Sequence, residues 1–235
     1  MPRRGQSGGK VASFELDGIK LRVPGHALND SLRRALESGK YEWNESAAIR
    51  RHAKPGDKVL DIGAGAGYVS ALAARAVGGD NVVAVEASPV MLEVLRQNLD
   101  GNGAAAAQLI HGAVVDDRFD ADTVSFLVRD AFWASTIAGA DAPRDKLAEV
   151  PALRLSALLE EHQPSVVIMD VEGGELQLSQ QAWPDCVRLV IMEIHTMVYP
   201  PSGVRAIFDG MSRNDMTYMP WGTQGEVVVF QRVHE

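Results

Sequence analysis

The chain has 235 residues, 46% of them hydrophobic, and a net charge of −8 from 31 acidic side chains against 23 Lys and Arg. That length fills one substantial core and leaves little room for a second domain, and the acidic balance supplies no global field that would draw nucleic acid or an anionic membrane. The single cysteine, Cys186, excludes an internal disulfide and no apolar run is long enough to span a bilayer, so the expectation is a cytoplasmic protein with a small-molecule partner and no membrane span.

Met1 to Lys10, basic and rich in Gly and Ser, reads as a disordered tail, and residues 11–235 as one domain. Ser13 to Leu16 and Lys20 to Val23 flank Asp17-Gly18, a strong hairpin turn, and Tyr41 to Lys54 should form a helix, so residues 11–54 make an N-terminal extension. Residues 55–235 then alternate strands and helices, the signature of a parallel sheet covered on both faces. Val59 to Ile62 reads as a buried strand and Tyr68 to Val77 as the following helix, joined by Gly63-Ala64-Gly65-Ala66-Gly67. Glycines there permit backbone angles closed to other residues and let a ligand approach the main chain.

About twenty residues on, Asn81 to Glu86 forms a second strand with an acid at its end, where a doubly wound unit binds ribose hydroxyls, and Ser88-Pro89 start a helix carrying Leu92, Leu95 and Leu99. Gln108 to Val115 gives a third strand and Val124 to Val128 a short extra one. Residues 129–149, with Phe132 and Trp133 among small residues, read as a binding loop or lid. Pro151 to His162 is expected to be a helix, Ser165 to Asp170 and Val187 to His195 buried strands, Val204 to Met211 a helix, and Glu226 to Val233 a final antiparallel strand.

Two polar clusters sit at the ends of the later strands, Asp170-Val171-Glu172-Gly173 and Glu193-Ile194-His195. Residues two apart in a strand share a face, so Asp170 pairs with Glu172 and Glu193 with His195 wherever extended geometry persists. Ligands of open α/β sheets bind beyond the carboxyl ends of the strands, where all four groups fall. Asp170 could instead cap the next helix, and His195 could be purely structural.

Only Ala66 separates Gly65 from Gly67, whereas a dinucleotide fingerprint places two residues between its second and third glycines. With Asp61 before the turn and Glu86 after it, the pattern resembles motif I and its acidic partner in S-adenosylmethionine (SAM) methyltransferases. The order DIGAGAGY, VVAVE, VVIMDVEGGE, MEIH over residues 41–233 resembles the FkbM-type SAM-dependent methyltransferases, with Ile168 where that family commonly has a lysine. The resemblance implies a Rossmann-like fold, a doubly wound and mostly parallel seven-stranded sheet, with SAM held by Asp61, Gly63, Ala64, Gly65, Gly67, Glu86, Ala87 and Asp170. It also implies O-methylation of a hydroxyl on a sugar, lipid-linked or secondary-metabolite acceptor.

An alcohol is too weak an acid to ionise near neutrality, so a base should assist. His195 titrates in the useful range, with Glu193 as its orienter and Asp170 as the rival base. Asp170, Glu193 and His195 could alternatively ligate a divalent metal, a reading not favoured because hard-ion sites usually cluster more carboxylates. Methylation of protein, or a degenerate SAM-binding partner module, are the alternative functions.

Overall fold

The computed structural model describes residues 11–25, 28–127, 136–137 and 147–233. Its centre is a seven-stranded sheet of β12 (Met216–Gln224), β13 (Val227–Arg232), β11 (Leu189–Glu193), β10 (Val166–Met169), β3 (Val59–Ile62), β4 (Val82–Glu86) and β5 (Gln108–His111), in that spatial order. The five strands from β11 to β5 run parallel, and β13 and β12 are antiparallel to their neighbours. The doubly wound, mostly parallel expectation therefore holds.

The short central strands are apolar at nearly every position because both of their faces are covered. Val59, Val166, Ile168, Leu189 and Ile191 pack with α2 (Trp43–His52), α3 (Tyr68–Val77) and α4 (Leu92–Gly101). Their strand neighbours Leu60, Ile62, Val167, Met169, Val190 and Met192 pack with α5 (Leu155–His162) and α7 (Pro201–Arg213) on the other face. The exception in β3 is Asp61, buried on the α3 side.

The N-terminal hairpin of β1 (Val11–Leu16) and β2 (Ile19–Pro24) turns at Asp17 and Gly18, both with positive φ as the Asp-Gly pair predicts. It is locked onto the glycine turn after β3. The Arg22 amide donates to Asn98 Oδ1 (2.8 Å), and Asn98 Nδ2 donates to the Ala66 carbonyl (2.8 Å). The Tyr68 hydroxyl donates to Asp17 (2.6 Å). Ahead of α2 lies α1 (Asp30–Glu37), capped by Asn29, whose side chain accepts from the Leu32 amide.

Several expectations need correction. The strand expected over 108–115 is two strands that part at Gly112: β5 stays in the main sheet, and β6 (Ala113–Val115) enters a second sheet. A Cβ at Gly112 would stand 2.7 Å from Leu153 and 2.8 Å from the Pro151 carbonyl, so the crossover needs glycine. That second sheet has the order β6, β9 (Leu147–Arg154), β7 (Thr123–Leu127), β8 (Thr136–Ile137). Residues 151–154, expected to be helical, thus close strand β9, where Pro151 pairs with Thr123. The 129–149 segment is described only at 136–137 and 147–149, which are strand; Phe132, Trp133, Val128 and the tail 1–10 lie outside the described residues. The strand ending at His195 stops at Glu193, because the chain turns through Thr196 and the Val198 amide donates back to the His195 carbonyl.

Candidate active site

The carboxyl ends of β3, β4 and β10 open onto a cavity of about 410 Å³, within the usual range for small-ligand pockets. Gly63 leaves β3 with φ +90°, and a Cβ there would lie 1.8 Å from the Asp170 carbonyl oxygen, so the two strand ends can approach only through glycine. The Gly63 and Ala64 amides both donate to the Val85 carbonyl, which pins the turn to the end of β4. Gly67 starts α3 at φ +84°, and a Cβ there would meet Leu95 at 2.6 Å.

Glu86 closes β4 as a buried carboxylate gripped by main chain: the Gly65 amide donates to Oε2 (2.7 Å) and the Ser88 amide to Oε1 (2.6 Å). Burial nonetheless lifts its pKa to about 6 against the pull of those amides. Asp61 stands behind the turn, accepts from the Ser70 hydroxyl, and is raised by burial to about 6. From the second sheet, Asp116 and Phe119 close the far wall, and the Arg118 guanidinium holds the Asp116 carboxyl below its ordinary value.

Asp170, Val171 and Glu172 form the near wall and lead into a second cavity of about 360 Å³, roofed by α1 and the start of α2. There β10 has ended, and Glu172 takes a left-handed φ of +53°. That turn, rather than extended geometry, brings Glu172 toward His195. The imidazole Nε2 lies 3.5 Å from Asp170 Oδ1 and 3.5 Å from Glu172 Oε2, while Nδ1–H donates to Glu175 Oε1 at 2.7 Å. Burial alone would depress the His195 pKa, but the Glu175 hydrogen bond and the charges of Glu175, Glu172 and Glu193 push it up to about 9. His195 is therefore an imidazolium at neutral pH.

Burial pushes Asp170 well above the ordinary carboxylate value, and Glu193 and Glu172 add to that repulsion. Across the second cavity, burial and Glu193 raise Glu45 to about 7. Among the described residues, Asp170, Glu175 and His195 have donor atoms spaced for a metal ion, within 4.8 Å of one another.

Residues 59–141 match the family described as "Methyltransferase domain". The seven-stranded sheet agrees: the structure of M. jannaschii TYW2 in complex with AdoMet superposes with a TM-score of 0.51 at 15% identity, covering 98% of this chain and 89% of that one. This is the Rossmann-like fold of class I SAM methyltransferases. Over 139 residues the chain is 34% identical to a ribosomal protein L11 methyltransferase of Thermus thermophilus, covering 56% of this chain and 51% of that protein. Over 51 residues it is 53% identical to a protein-L-isoaspartate O-methyltransferase of Aeropyrum pernix, covering 21% of this chain and 20% of that protein. The chain thus spans about half or less of the length of these curated relatives.

Within the matched residues 59–141, Gly63, Gly65, Glu86 and Ala87 line the first cavity, whereas Asp61, Ala64 and Gly67 brace the turn from behind. Asp170 faces both cavities; Glu193 and His195 face only the second. Sequence reasoning missed Glu175, the fully buried partner of His195, and Glu42 and Glu45, which the N-terminal extension brings over the strand ends. It also did not single out Asp116, which lines the first cavity. An acid five residues after a strand-end aspartate, or ahead of the first core strand, has no local signature; only the packing reveals it.

Proposed function

We propose that this chain is a SAM-dependent methyltransferase acting on a hydroxyl of a small molecule, in the manner of the FkbM-type enzymes. The observation that carries the reading is the junction of two cavities at Asp170 and Glu172, one walled by the glycine turn and Glu86, the other by His195 and Glu193. The donor set of the first cavity fits SAM. Each oxygen of Glu86 accepts one backbone N–H and retains a lone pair for a ribose hydroxyl. The glycine turn leaves main chain rather than side chains facing the ligand, and Asp116 with Phe119 offers an acceptor and an aromatic ring to a purine.

Bound SAM supplies an electrophilic methyl on a sulfonium, so the chain's own task is to align an oxygen and remove its proton. An imidazolium has no lone pair to accept that proton, which shifts the base from His195 to Asp170. Burial and its carboxylate neighbours raise Asp170 above the ordinary carboxylate value, which makes its carboxylate more basic than a solvated one. His195, fixed by Glu175, supplies the positive charge that holds Asp170 and Glu172 in place.

The extended match to a ribosomal protein L11 methyltransferase favours a second reading, a protein acceptor. Both are tested with methyl-labelled SAM, a library of glycans, polyketides and lipids, and purified ribosomal protein L11. Label in a hydroxyl compound supports the proposal. Label in the protein alone supports the second reading, and S-adenosylhomocysteine formation from none of them refutes both.

A further inference from the structure

The N-terminal hairpin is a sheet of two strands, so β2 has an edge with no strand beside it. Residues two apart in a strand turn their main-chain groups to the same side, and those of Lys20 and Arg22 meet α4. Two asparagines fill the edge. Asn98 Oδ1 accepts from the Arg22 amide (2.8 Å) while its Nδ2 donates to the Arg22 carbonyl (3.2 Å). Asn102, one helical turn further on, does the same for the Lys20 amide and carbonyl, both at 2.8 Å. Each side-chain amide supplies the donor and acceptor that a neighbouring strand would have supplied.

The two asparagines differ in one respect. Asn98 is 1% exposed, and its Nδ2 also donates to the Ala66 carbonyl at 2.8 Å, inside the glycine turn of the first cavity. Asn102 Nδ2 instead donates to the Asn98 carbonyl (2.7 Å). The peptide joining Ala66 to Gly67 turns about the φ of Gly67, which stands at +84° and, without a Cβ, accepts either sign. That peptide is held at both of its polar ends: Asn98 takes the carbonyl, and the Gly67 amide donates to the Ala64 carbonyl (2.8 Å). Gly65, one residue before it, lines the cavity and donates its amide to Glu86.

Resting on the assignment of the first cavity to SAM, we infer that Asn98 is a positioning residue of the cofactor site, and that the N-terminal hairpin acts through it as a brace on the glycine turn. No described residue of β1 or β2 lines that cavity, so the hairpin reaches the cofactor only by way of the turn. Arg22 decides which way the Asn98 amide faces. Its N–H claims Oδ1, which leaves Nδ2 for the Ala66 carbonyl, and half a rotation of the amide would set oxygen against oxygen there. The hairpin is fastened next to the turn a second time. Tyr68, the residue after Gly67, donates its hydroxyl to Asp17 (2.6 Å), and the Arg75 guanidinium donates to the Asp17 and Gly18 carbonyls (2.8 and 2.9 Å). A turn released to flip binds SAM only in the fraction of molecules that are correctly set, and apparent affinity falls by that fraction.

The test is calorimetric titration of the full chain with S-adenosylhomocysteine, which needs no acceptor, beside urea denaturation of the same preparations. Asn98→Ala and Asn98→Asp should each weaken binding about tenfold or more near pH 7, the effect of losing one buried donor. Asn102→Ala removes the matching pair of bonds to the hairpin without touching the turn, so it should lower stability and leave affinity unchanged. Asn98→Asp carries a further signature. Its carboxylate cannot donate to Ala66 but the protonated acid can, so its affinity relative to wild type at the same pH should recover as pH is lowered toward its pKa. A side chain that merely supported the fold would give no recovery. Should Asn98→Ala fail to fold, Asn98→Asp decides, because it keeps the volume and the acceptor for Arg22. Wild-type affinity in the folded Asn98 variants, or equal weakening in Asn102→Ala, overturns the inference and leaves the cofactor assignment standing. Failure of the wild-type chain to bind S-adenosylhomocysteine would instead remove the assignment on which it rests.

Discussion

His195 points Nδ1–H at Oε1 of Glu175, 2.7 Å away, and Glu175 is wholly buried. A carboxylate with no access to water is one of the costliest groups a fold can hold, and the imidazolium is what makes it tolerable. Glu175→Gln keeps the hydrogen-bonding shape and removes the charge, so the His195 pKa should fall from about 9 toward the ordinary value, about 6.5. Imidazole proton resonances followed through a pH titration read this directly. The sign for stability follows: a histidine raised on folding contributes fully below its unfolded pKa, and that contribution fades as pH rises from about 6.5 to about 9. The wild-type protein should lose stability across that window, and His195→Gln should flatten the loss.

Gly63→Ala should be among the most damaging single-methyl additions in the chain. The new Cβ would overlap the Asp170 carbonyl, a backbone atom that cannot swing aside, and the residue would hold φ +90°. Overpacking and left-handed strain together predict a loss of about 2–4 kcal/mol in denaturant unfolding. Gly101→Ala, where a Cβ meets nothing within 4 Å, serves as the control and should leave stability unchanged or slightly raised.

Glu86→Ala should weaken SAM by roughly 2–3 kcal/mol through loss of the ribose acceptor. Sequence alone suggests that stability would be untouched. The structure changes that expectation, because Gly65 and Ser88 both donate amides to this carboxylate and Ser88 is buried. Unfolding free energy should therefore fall by about 1–3 kcal/mol as well. Calorimetry and denaturation on one preparation separate the two effects, and an unaltered dissociation constant would exclude Glu86 from the cofactor site.

Asp57 anchors the start of β3 to β11. The Arg188 guanidinium donates to both of its oxygens, the Lys54 amide donates to Oδ2 and the Ser165 hydroxyl to Oδ1. Burial raises its pKa, but Arg188, Lys54 and Ser165 together carry it below the ordinary value. Its stabilisation is present above the unfolded pKa, about 3.9, and is lost as pH falls through the lower folded value. Asp57→Asn should reduce stability by about 2–4 kcal/mol at pH 7, and the difference from wild type should shrink in acid.

How much of this was legible in the chain depends on how local each signal is. The strands Val59–Ile62, Val82–Glu86 and Val166–Met169 are apolar runs ended by acids or glycine, and sequence reads them nearly to the residue. Asp17-Gly18 and Gly63 are conformational signals of the same local kind. Pro151 misled, since a proline ahead of Leu155 and Leu158 resembles a helix start, yet the strand extends three residues past it before α5 begins. Helix α1 went unread because its apolar stripe is only Leu32 and Leu36. The acidic roof of Glu42 and Glu45 and the Glu175–His195 pair depend on which elements pack together, a long-range fact that no window of sequence carries.

The most direct test of the account is a calorimetric titration of the full chain with SAM, S-adenosylhomocysteine and NAD. The glycine turn, with one residue between Gly65 and Gly67, and Glu86 at the end of β4 predict saturable one-to-one binding of SAM and S-adenosylhomocysteine, abolished or strongly weakened in Glu86→Ala, and no heat from NAD. Binding of NAD with none of SAM would contradict the assignment of the cavity and, with it, the proposed chemistry.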